Sequence, residues 1–395
     1  MIFRYKFITS NSNNMKWGYI LSAGTLIMIL FFSGCNKEEF SWGQEIGDIT
    51  YSGNAIILGV DELALIKEVT SDKIIFSKNS GEIEKITDMS ILVIGISEKT
   101  PYGSLRKVNT IEKNGSEVII TTVDAQLTDA VKEGTIVLQE VLLEKNFTLK
   151  SKVDGVELKG PHKSFDGLAV TLDDFEVFRD GTNVTILNGA VGISAEIDIT
   201  IKLKSNAIQE ISIISTLDKI DEIMVSSNSA FSGENELIAA EFMHSPIVIN
   251  NLVFVPEVSI MCGFNGTILS EVTSGVRQDR TITSKLSYKN SSWSSDPLIH
   301  VEAFDFTTPQ LTDNSDLKIF SGPEINILLF GAPVQTIKST GFYALEAEKD
   351  SSPLWRLFIG NDGMNSVNAD IIGTPEDYSS NMSVQASEIG NSNGK

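Results

Sequence analysis

Three histidines and two pairs of adjacent carboxylates are the side chains in this 395-residue chain most suited to catalysis. The histidines are His162, His244 and His300. Their separation in sequence matches no metal-ligand spacing, so we expect each to be structural or solvated. The carboxylate pairs are Asp173 with Asp174 and Asp221 with Glu222. Adjacent residues on a strand point to opposite faces, so neither pair can share a substrate, and we interpret both as solvated charges at strand edges.

Asn and Asp side chains near the C-terminus could supply oxygen ligands to calcium. They are Asn361, Asp362, Asn365, Asn368 and Asp370. Their spacing does not fit the twelve-residue calcium-binding loop, which favours an ordinary loop. The chain is therefore predicted to contain no metal site, no cofactor site and no catalytic residue, and to be a non-enzymatic protein.

Cys35 ends an apolar run that follows Lys16 and closes with Ser33 and Gly34. The run is about 16 residues long, whereas a bilayer-spanning helix needs roughly 20. A charged head, an apolar core and small residues at the end are the three parts of a secretory signal. The ending resembles the lipobox of bacterial lipoproteins. This resemblance implies that residues 1–34 are a signal peptide and that Cys35 is the lipidation site, carrying a diacylglycerol thioether and, after cleavage, an acylated amino terminus.

The same resemblance implies a location. Three acyl chains, palmitate among them, would anchor the chain stably, because two membrane signals already suffice. Residues 35–48 would be the lipidated tether, and their Asn-Lys-Glu-Glu stretch at 36–39 looks like a tag that some Gram-negative bacteria use to export lipoproteins to the outer surface. We expect a lipid-anchored, surface-exposed protein of the outer membrane. An ordinary signal peptide, a plain charged tether, and a start at Met1 or Met15 remain open.

Composition narrows the range of partners. The chain has 31 basic and 52 acidic residues, a formal net charge of -21. Binding to nucleic acid depends on clustered Lys and Arg, so we exclude nucleic acid as a partner. The expected contact with the membrane is the lipid on Cys35, and a glycan or another protein is the candidate partner. Apart from Cys35, the only cysteine is Cys262, whose apolar neighbours predict a buried, inert thiol.

The hydrophobic pattern has a period of two. Ile197, Ile199, Ile201 and Leu203 alternate with polar residues, as in a strand with one buried face. Asn-Gly at 114–115 and Asp-Gly at 180–181 predict β-hairpins, because both dipeptides tolerate positive φ. One short helix is predicted, with Asp124 as its cap, Leu127, Ala130 and Val131 on its buried face, and Gly134 as its stop.

These patterns predict an all-β fold with two antiparallel β domains. A small β module with one short helix would span residues 49–143, and a larger long-stranded β-sandwich or curved sheet would span residues 144–373. Residues 290–295 are predicted to be a loop and residues 374–395 a flexible C-terminal tail, because both stretches are rich in Ser and Asn.

Two further stretches carry a second resemblance. They comprise Pro-Tyr-Gly-Ser-Leu-Arg-Lys-Val at 101–108 with the strand and helix patterns at 118–122 and 125–130, and the motifs at 286–288, 292–294 and 322–331. Together they resemble a group of uncharacterised β-rich secreted or surface proteins of bacteria. The resemblance implies a shared architecture over most of residues 85–373. It implies no catalytic residue, because the group has no established activity.

The sequence is compatible with three functions. The leading one is a lipid-anchored cell-envelope or surface protein that acts as a non-enzymatic binding or structural module. The first alternative is carbohydrate binding, in which Trp293, Trp355 or Tyr288 would stack on sugars from one exposed face. The second is lipid handling, which requires a continuous cavity lined by residues such as Ile197 and Leu203.

Overall fold

The computed structural model describes residues 49–158 and 167–394 of the chain. The predicted signal peptide, the tether, the export tag, the lipidation site Cys35, and His162 lie outside the described residues. In the described ranges no helix is long and apolar enough to cross a membrane.

The protein is all-β. The strands are β1 Thr50–Tyr51, β2 Ala55–Leu58, β3 Ile66–Val69, β4 Lys73–Phe76, β5 Ile91–Ile94, β6 Ser104–Asn114, β7 Glu117–Asp124, β8 Val131–Leu142, β9 Phe147–Lys152, β10 Val156–Glu157, β11 Leu168–Asp180, β12 Asn183–Lys204, β13 Ala207–Ser227, β14 Phe231–His244, β15 Ile247–Ile249, β16 Leu252–Ile268, β17 Val272–Lys289, β18 Ser292–Gln310, β19 Ser315–Leu329, β20 Ala332–Ala347, β21 Trp355–Val367, β22 Tyr378–Asn381 and β23 Val384–Asn391. The α-helices are short: α1 Val60–Leu63, α2 Leu127–Ala130 and α3 Ala369–Ile372. Two 3₁₀ turns span Gly81–Lys85 and Glu144–Asn146.

The first large sheet has the strand order β1-β8-β12-β13-β17-β18. Strands β8 and β11 lie end to end along β12: β8 pairs with residues 195–203 and β11 with residues 183–193. β10 extends the sheet beyond β11. The 22-residue length of β12 is what allows one strand to carry two partners along the same edge.

The second large sheet has the order β22-β21-β20-β19-β16-β14-β9, with β15 also paired to β16 and β23 to β21. Every pairing in both large sheets is antiparallel, as the sequence pattern predicts. A third, six-stranded sheet has the order β2-β5-β6-β7-β4-β3, in which β2 and β5 pair in parallel.

The main hydrophobic core joins inward-facing rows from both large sheets. The alternating side chains from Ile197 to Leu203 belong to it and are at most 4% exposed, which confirms the predicted half-buried strand. Val93 and Leu105 of the small sheet also join this core, whereas Ile74 and Phe76 lie in a second core within the small sheet. The small sheet therefore buries side chains in two cores.

All the described residues fall into one compact unit. Strand β8 precedes the boundary predicted at residues 143–144, yet it pairs with β12, which follows that boundary. The division into two domains stays a prediction.

Both predicted hairpins form. Asn114 pairs with Glu117 around Gly115, whose φ is 64°, and Asp180 pairs with Asn183 around Gly181, whose φ is 63°. The predicted helix also forms, but it covers only Leu127–Ala130. Asp124 does not cap it; this residue ends β7 and forms an ion pair with Arg106. Val131, predicted for the helix, begins β8, and Gly134, the predicted stop, lies inside that strand.

Strands occupy part of each Ser/Asn-rich stretch, which the sequence predicted to be a loop and a flexible tail. Residues 290–291 form a tight turn, and β18 begins directly after it at Ser292. The predicted flexible tail contains β22 and β23, which both pair with β21. Backbone pairing with an existing strand edge and burial of Met382 at 1% exposure order this segment despite its polar composition.

Candidate functional site

The two described histidines lie apart and share no site. His244 is buried at the end of β14, where Nδ1 donates to the carbonyl of Ser245 at 2.6 Å and Nε2 lies 3.8 Å from Glu140 Oε1. Burial lowers the pKa of His244. His300 is exposed on β18 of the other large sheet. In the part of the chain that the structure describes, no group of three or more His, Cys, Asp or Glu side chains could hold a metal ion.

The two carboxylate pairs differ in environment. Asp173 and Asp174 are exposed at an irregularity of β11, where the Asp174 N–H donates to Asn188 Oδ1 at 2.8 Å, so the solvated interpretation is confirmed. Asp221 and Glu222 do point to opposite faces, as predicted. Only Glu222 is solvated; Asp221 is 2% exposed, and its interpretation as an edge charge was wrong.

The candidate calcium ligands do not converge. Asn361 and Asn365 face the interior from β21, whereas Asp362 points outward and forms an ion pair with Lys318. Asn368 caps α3 by accepting from the Asp370 N–H at 2.8 Å. Most of this segment is strand, so the predicted ordinary loop was also wrong.

The aromatic rings proposed to stack on sugars are packed against protein. Trp355 is 7% exposed and Tyr288 is 5% exposed. Trp293 is partly buried and stacks on Tyr378 with centroids 5.2 Å apart and an interplanar angle of 11°. The centroid of the Trp293 ring also lies 5.1 Å from that of the Tyr288 ring. These three rings form no common exposed face, and the row from Ile197 to Leu203 lies in the main core rather than along a lipid cavity.

Cys262 is fully buried on β16, as predicted, and burial raises the pKa of its thiol. Such a thiol is a poor nucleophile because the reactive form is the thiolate.

A buried polar layer crosses the interior between the two large sheets, and no sequence pattern predicted it. Its members are Lys219 and Asp221 on β13, Gln278 and Arg280 on β17, Ser321 on β19, Ser339 on β20 and Asn361 on β21. Each is at most 3% exposed. One signal in the sequence could have revealed this layer. Lys219 and Asp221 follow the buried Leu217 by two and four residues, so all three side chains point to the inward face of β13.

Lys219 and Asp221 form the centre of the buried polar layer. Lys219 Nζ lies 3.1 Å from Asp221 Oδ2 and donates to the carbonyls of Ser321 and Ser339 at 3.4 and 3.1 Å. Ser321 Oγ donates to Asp221 Oδ1 at 3.2 Å. Burial lowers the pKa of Lys219, and the neighbouring Asp221 carboxylate opposes that shift.

Arg280 adds a second cation to the layer. Its Nη1 donates to Asn361 Oδ1 at 3.1 Å, and Ser339 Oγ donates to the same oxygen at 3.0 Å. Burial lowers the pKa of Arg280, while Asp221 raises it. The layer thus contains two cationic side chains and one carboxylate. Because its side chains are enclosed between the sheets, they are placed to hold the sheets together rather than to meet a substrate.

An open groove of about 400 Å³ lies where β20, β21 and β22 come together. It is lined by Pro333, Val334, Thr336, Met364, Ser366, Val367, Asn368, Asp377, Tyr378 and Ser379. Its volume is within the range of small-ligand sites, about 300–1,000 Å³. The lining mixes hydroxyl, amide and carboxylate groups with apolar side chains, and the Trp293 ring supports Tyr378 from outside the groove. The groove is the candidate binding site.

Sequence reasoning could not find the groove, because its lining comes from separate strands and from the segment predicted as a tail. Comparison of this chain with protein-family models, with curated proteins and with solved structures found no match. Since no relative suggests a ligand for the groove, the side chains that line it are the basis for inferring one.

Proposed function

We propose that this protein is a lipid-anchored, surface-exposed module of the bacterial outer membrane that acts by binding or by structural support rather than by catalysis. The observation that carries the proposal is the apolar run that ends in Ser33, Gly34 and Cys35. Acylation of Cys35 would hold the chain at the membrane. The first described strand begins at Thr50, and residues 36–49 can reach at most about 50 Å when extended. That reach would let the β-sheets stand clear of the lipid surface.

The binding role is supported by where polar groups are accessible. The groove exposes several hydrogen-bonding groups to solvent, whereas the buried polar layer keeps its charges between the sheets. Ligand sites combine apolar walls with a few converging polar groups, which is the composition of this groove.

Labelling with an alkyne analogue of palmitate tests the anchor. The wild type should incorporate the label and sediment with the outer membrane, and Cys35→Ala should lose both properties. Cys262→Ala is the matched control and should keep both, because its thiol is buried on β16. Undiminished labelling of Cys35→Ala would overturn the proposal.

Protease digestion of intact cells tests the surface exposure separately. Cleavage of the wild type without lysis is the expected result. Protection until lysis, in a protein that still carries the label, would place the sheets in the periplasm and overturn the surface assignment alone.

Carbohydrate binding is a second candidate, now at the groove rather than at the three packed rings. The observation that favours it is an open lining that combines hydroxyl, amide and carboxylate groups with apolar side chains beside the Tyr378 ring. Aromatic and polar side chains together suit a sugar, which has both C–H and O–H faces. A glycan array with the detergent-solubilised lipoprotein would test it.

The matched variants for that array are Met364→Ala and Val384→Ala. Both side chains are similarly exposed, at 43% and 40%, but only Met364 lines the groove. Weakened binding by Met364→Ala alone is expected. Equal binding by both variants, or no glycan bound by the wild type, would exclude the groove as a sugar site.

A further inference from the structure

A small cavity lies inside the buried polar layer. It has a volume of about 10 Å³ and is lined by Asp221, Ile223, Val276, Gln278, Ile319, Phe320, Ser321, Gly341 and Tyr343. These residues come from β13 and β17 of the first large sheet and from β19 and β20 of the second. A cavity of this size has room for one water molecule and for nothing larger.

Two oxygen atoms in the cavity lining can each accept a further hydrogen bond. Apart from the ion pair between Asp221 Oδ2 and Lys219 Nζ, neither Asp221 Oδ2 nor Gln278 Oε1 has a hydrogen-bond partner among the residues that the structure describes. Asp221 is 2% exposed and Gln278 is 3% exposed, so bulk solvent does not reach them. Leaving a buried acceptor unsatisfied is costly, by about 1–3 kcal/mol per group.

The neighbouring groups fix both atoms as acceptors. Gln278 Nε2 donates to the carbonyl of Phe342 at 3.4 Å, which sets the orientation of the amide and leaves Oε1 for the cavity. Asp221 Oδ1 already accepts from Ser321. Lys219 Nζ forms an ion pair with Asp221 Oδ2 at 3.1 Å, and this carboxylate oxygen can accept a second hydrogen bond. The occupant must therefore donate to two oxygen atoms.

The charges of the buried polar layer decide which small molecule or ion can occupy the cavity. The layer contains two cations, Lys219 and Arg280, against the single carboxylate of Asp221, so an additional metal cation or ammonium ion would be repelled. An anion would face two acceptor oxygens and could donate to neither. Water is neutral, fits the volume and donates two hydrogen bonds.

We infer that the buried polar layer binds one ordered water molecule, which donates to Asp221 Oδ2 and Gln278 Oε1. This site is independent of the proposed lipid anchor and of the groove. The water links β13 and β17 through their side chains and completes the polar contacts at the place where four strands of two sheets meet. Buried waters of this kind are part of the structure and are costly to remove.

A crystal structure of the wild type at about 1.5 Å resolution tests the inference directly. We expect one peak of water density within about 2.7–3.2 Å of both acceptor atoms. A dry cavity would overturn the inference, as would density whose contacts and anomalous signal identify an ion.

Magnetic relaxation dispersion of ¹⁷O-labelled water provides a second test in solution. Gln278→Leu removes one acceptor and should lower the number of long-lived waters by one. Asn365→Leu is the matched control, since Asn365 is also fully buried, does not line the cavity, and has protein hydrogen-bond partners at both Oδ1 and Nδ2. An unchanged count in folded Gln278→Leu would contradict the site. If Gln278→Leu fails to fold, the wild-type crystal structure alone decides.

Discussion

Lys219 and Asp221 lie two residues apart on β13, and their side chains form a 3.1 Å ion pair between the two large sheets. Both are at most 2% exposed, and Arg280 from β17 shares their surroundings. An ion pair of this kind often contributes little relative to a well-packed apolar pair, but removing one partner leaves a buried charge without compensation. The pair therefore makes the sandwich interior sensitive to single substitutions.

We expect Lys219→Met to lower the free energy of unfolding by about 1–3 kcal/mol, because two buried carbonyls lose their donor while Arg280 still balances Asp221. Asp221→Leu should cost more, about 3–5 kcal/mol, because it leaves Lys219 and Arg280 as two cations with no carboxylate between them. Urea denaturation followed by circular dichroism measures both. Lys202→Met is the control: it breaks an exposed 2.9 Å pair with Glu210 and should cost less than about 1 kcal/mol. If the buried substitutions lower the free energy of unfolding as little as Lys202→Met does, the buried charges are not needed for stability.

Gly341 makes room for the same charged groups. A Cβ atom at this position would lie 2.6 Å from Asp221 Oδ2 and 2.7 Å from Arg280 Nη1. Gly341→Ala should therefore destabilise the protein by about 1–3 kcal/mol, the usual cost of overpacking a core. Gly53→Ala serves as the control, since nothing lies within 4 Å of its added Cβ. A neutral Gly341→Ala would mean that the two charged side chains can move apart without cost.

Local signals in the sequence were sufficient for some features of the fold and not for others. The row from Ile197 to Leu203 and the turn at Gly115 could be predicted, because alternation and Asn-Gly turns are properties of neighbouring residues. The hairpin turn at Ser205 and Asn206 has positive φ at both residues but lacks the glycine that usually marks it. Its sequence gave no comparable signal.

The interior sites depend on contacts that are remote in sequence. In the sequence Asp221 is one of two adjacent carboxylates, and its neighbours do not show that it is buried. Its burial depends on the packing of β13 against β19, where its hydrogen-bond partner Ser321 lies 100 residues away. The groove likewise requires β22, which pairs with β21 although its own sequence is short and polar. Composition alone could not show that a neighbouring strand edge would order it.

Strands β22 and β23 are expected to be part of the folded unit. Met382, between them, is 1% exposed, and its carbonyl accepts from Asn361 Nδ2 at 3.2 Å. Met382→Ala should lower the free energy of unfolding by about 2–5 kcal/mol. Val384→Ala, two residues later at a 40% exposed side chain, should change it by no more than about 0.5 kcal/mol. If both substitutions are neutral in urea denaturation, this segment does not contribute to stability.

Because Tyr51 is partly buried, we predict that the folded protein loses stability in strong alkali. Its hydroxyl donates to the carbonyl of Asn250, and burial raises the pKa of Tyr51 from 10.0 to about 12. Between these two values the native state keeps a proton that the unfolded state has lost. Since the native state then binds more protons, stability falls as pH rises through this window.

Comparison with Tyr51→Phe isolates this effect. Burial also raises the pKa of Tyr343, but that residue is present in both proteins and cancels. The lowered pKa of Lys219 acts in the opposite direction below its unfolded value of 10.5, and it cancels in the same way. We expect the stability of the wild type relative to Tyr51→Phe, measured by urea denaturation at intervals from pH 9 to 12, to be constant below pH 10 and to decline above it. A difference that stays constant through pH 12 would show that the hydroxyl titrates alike in the folded and unfolded chains.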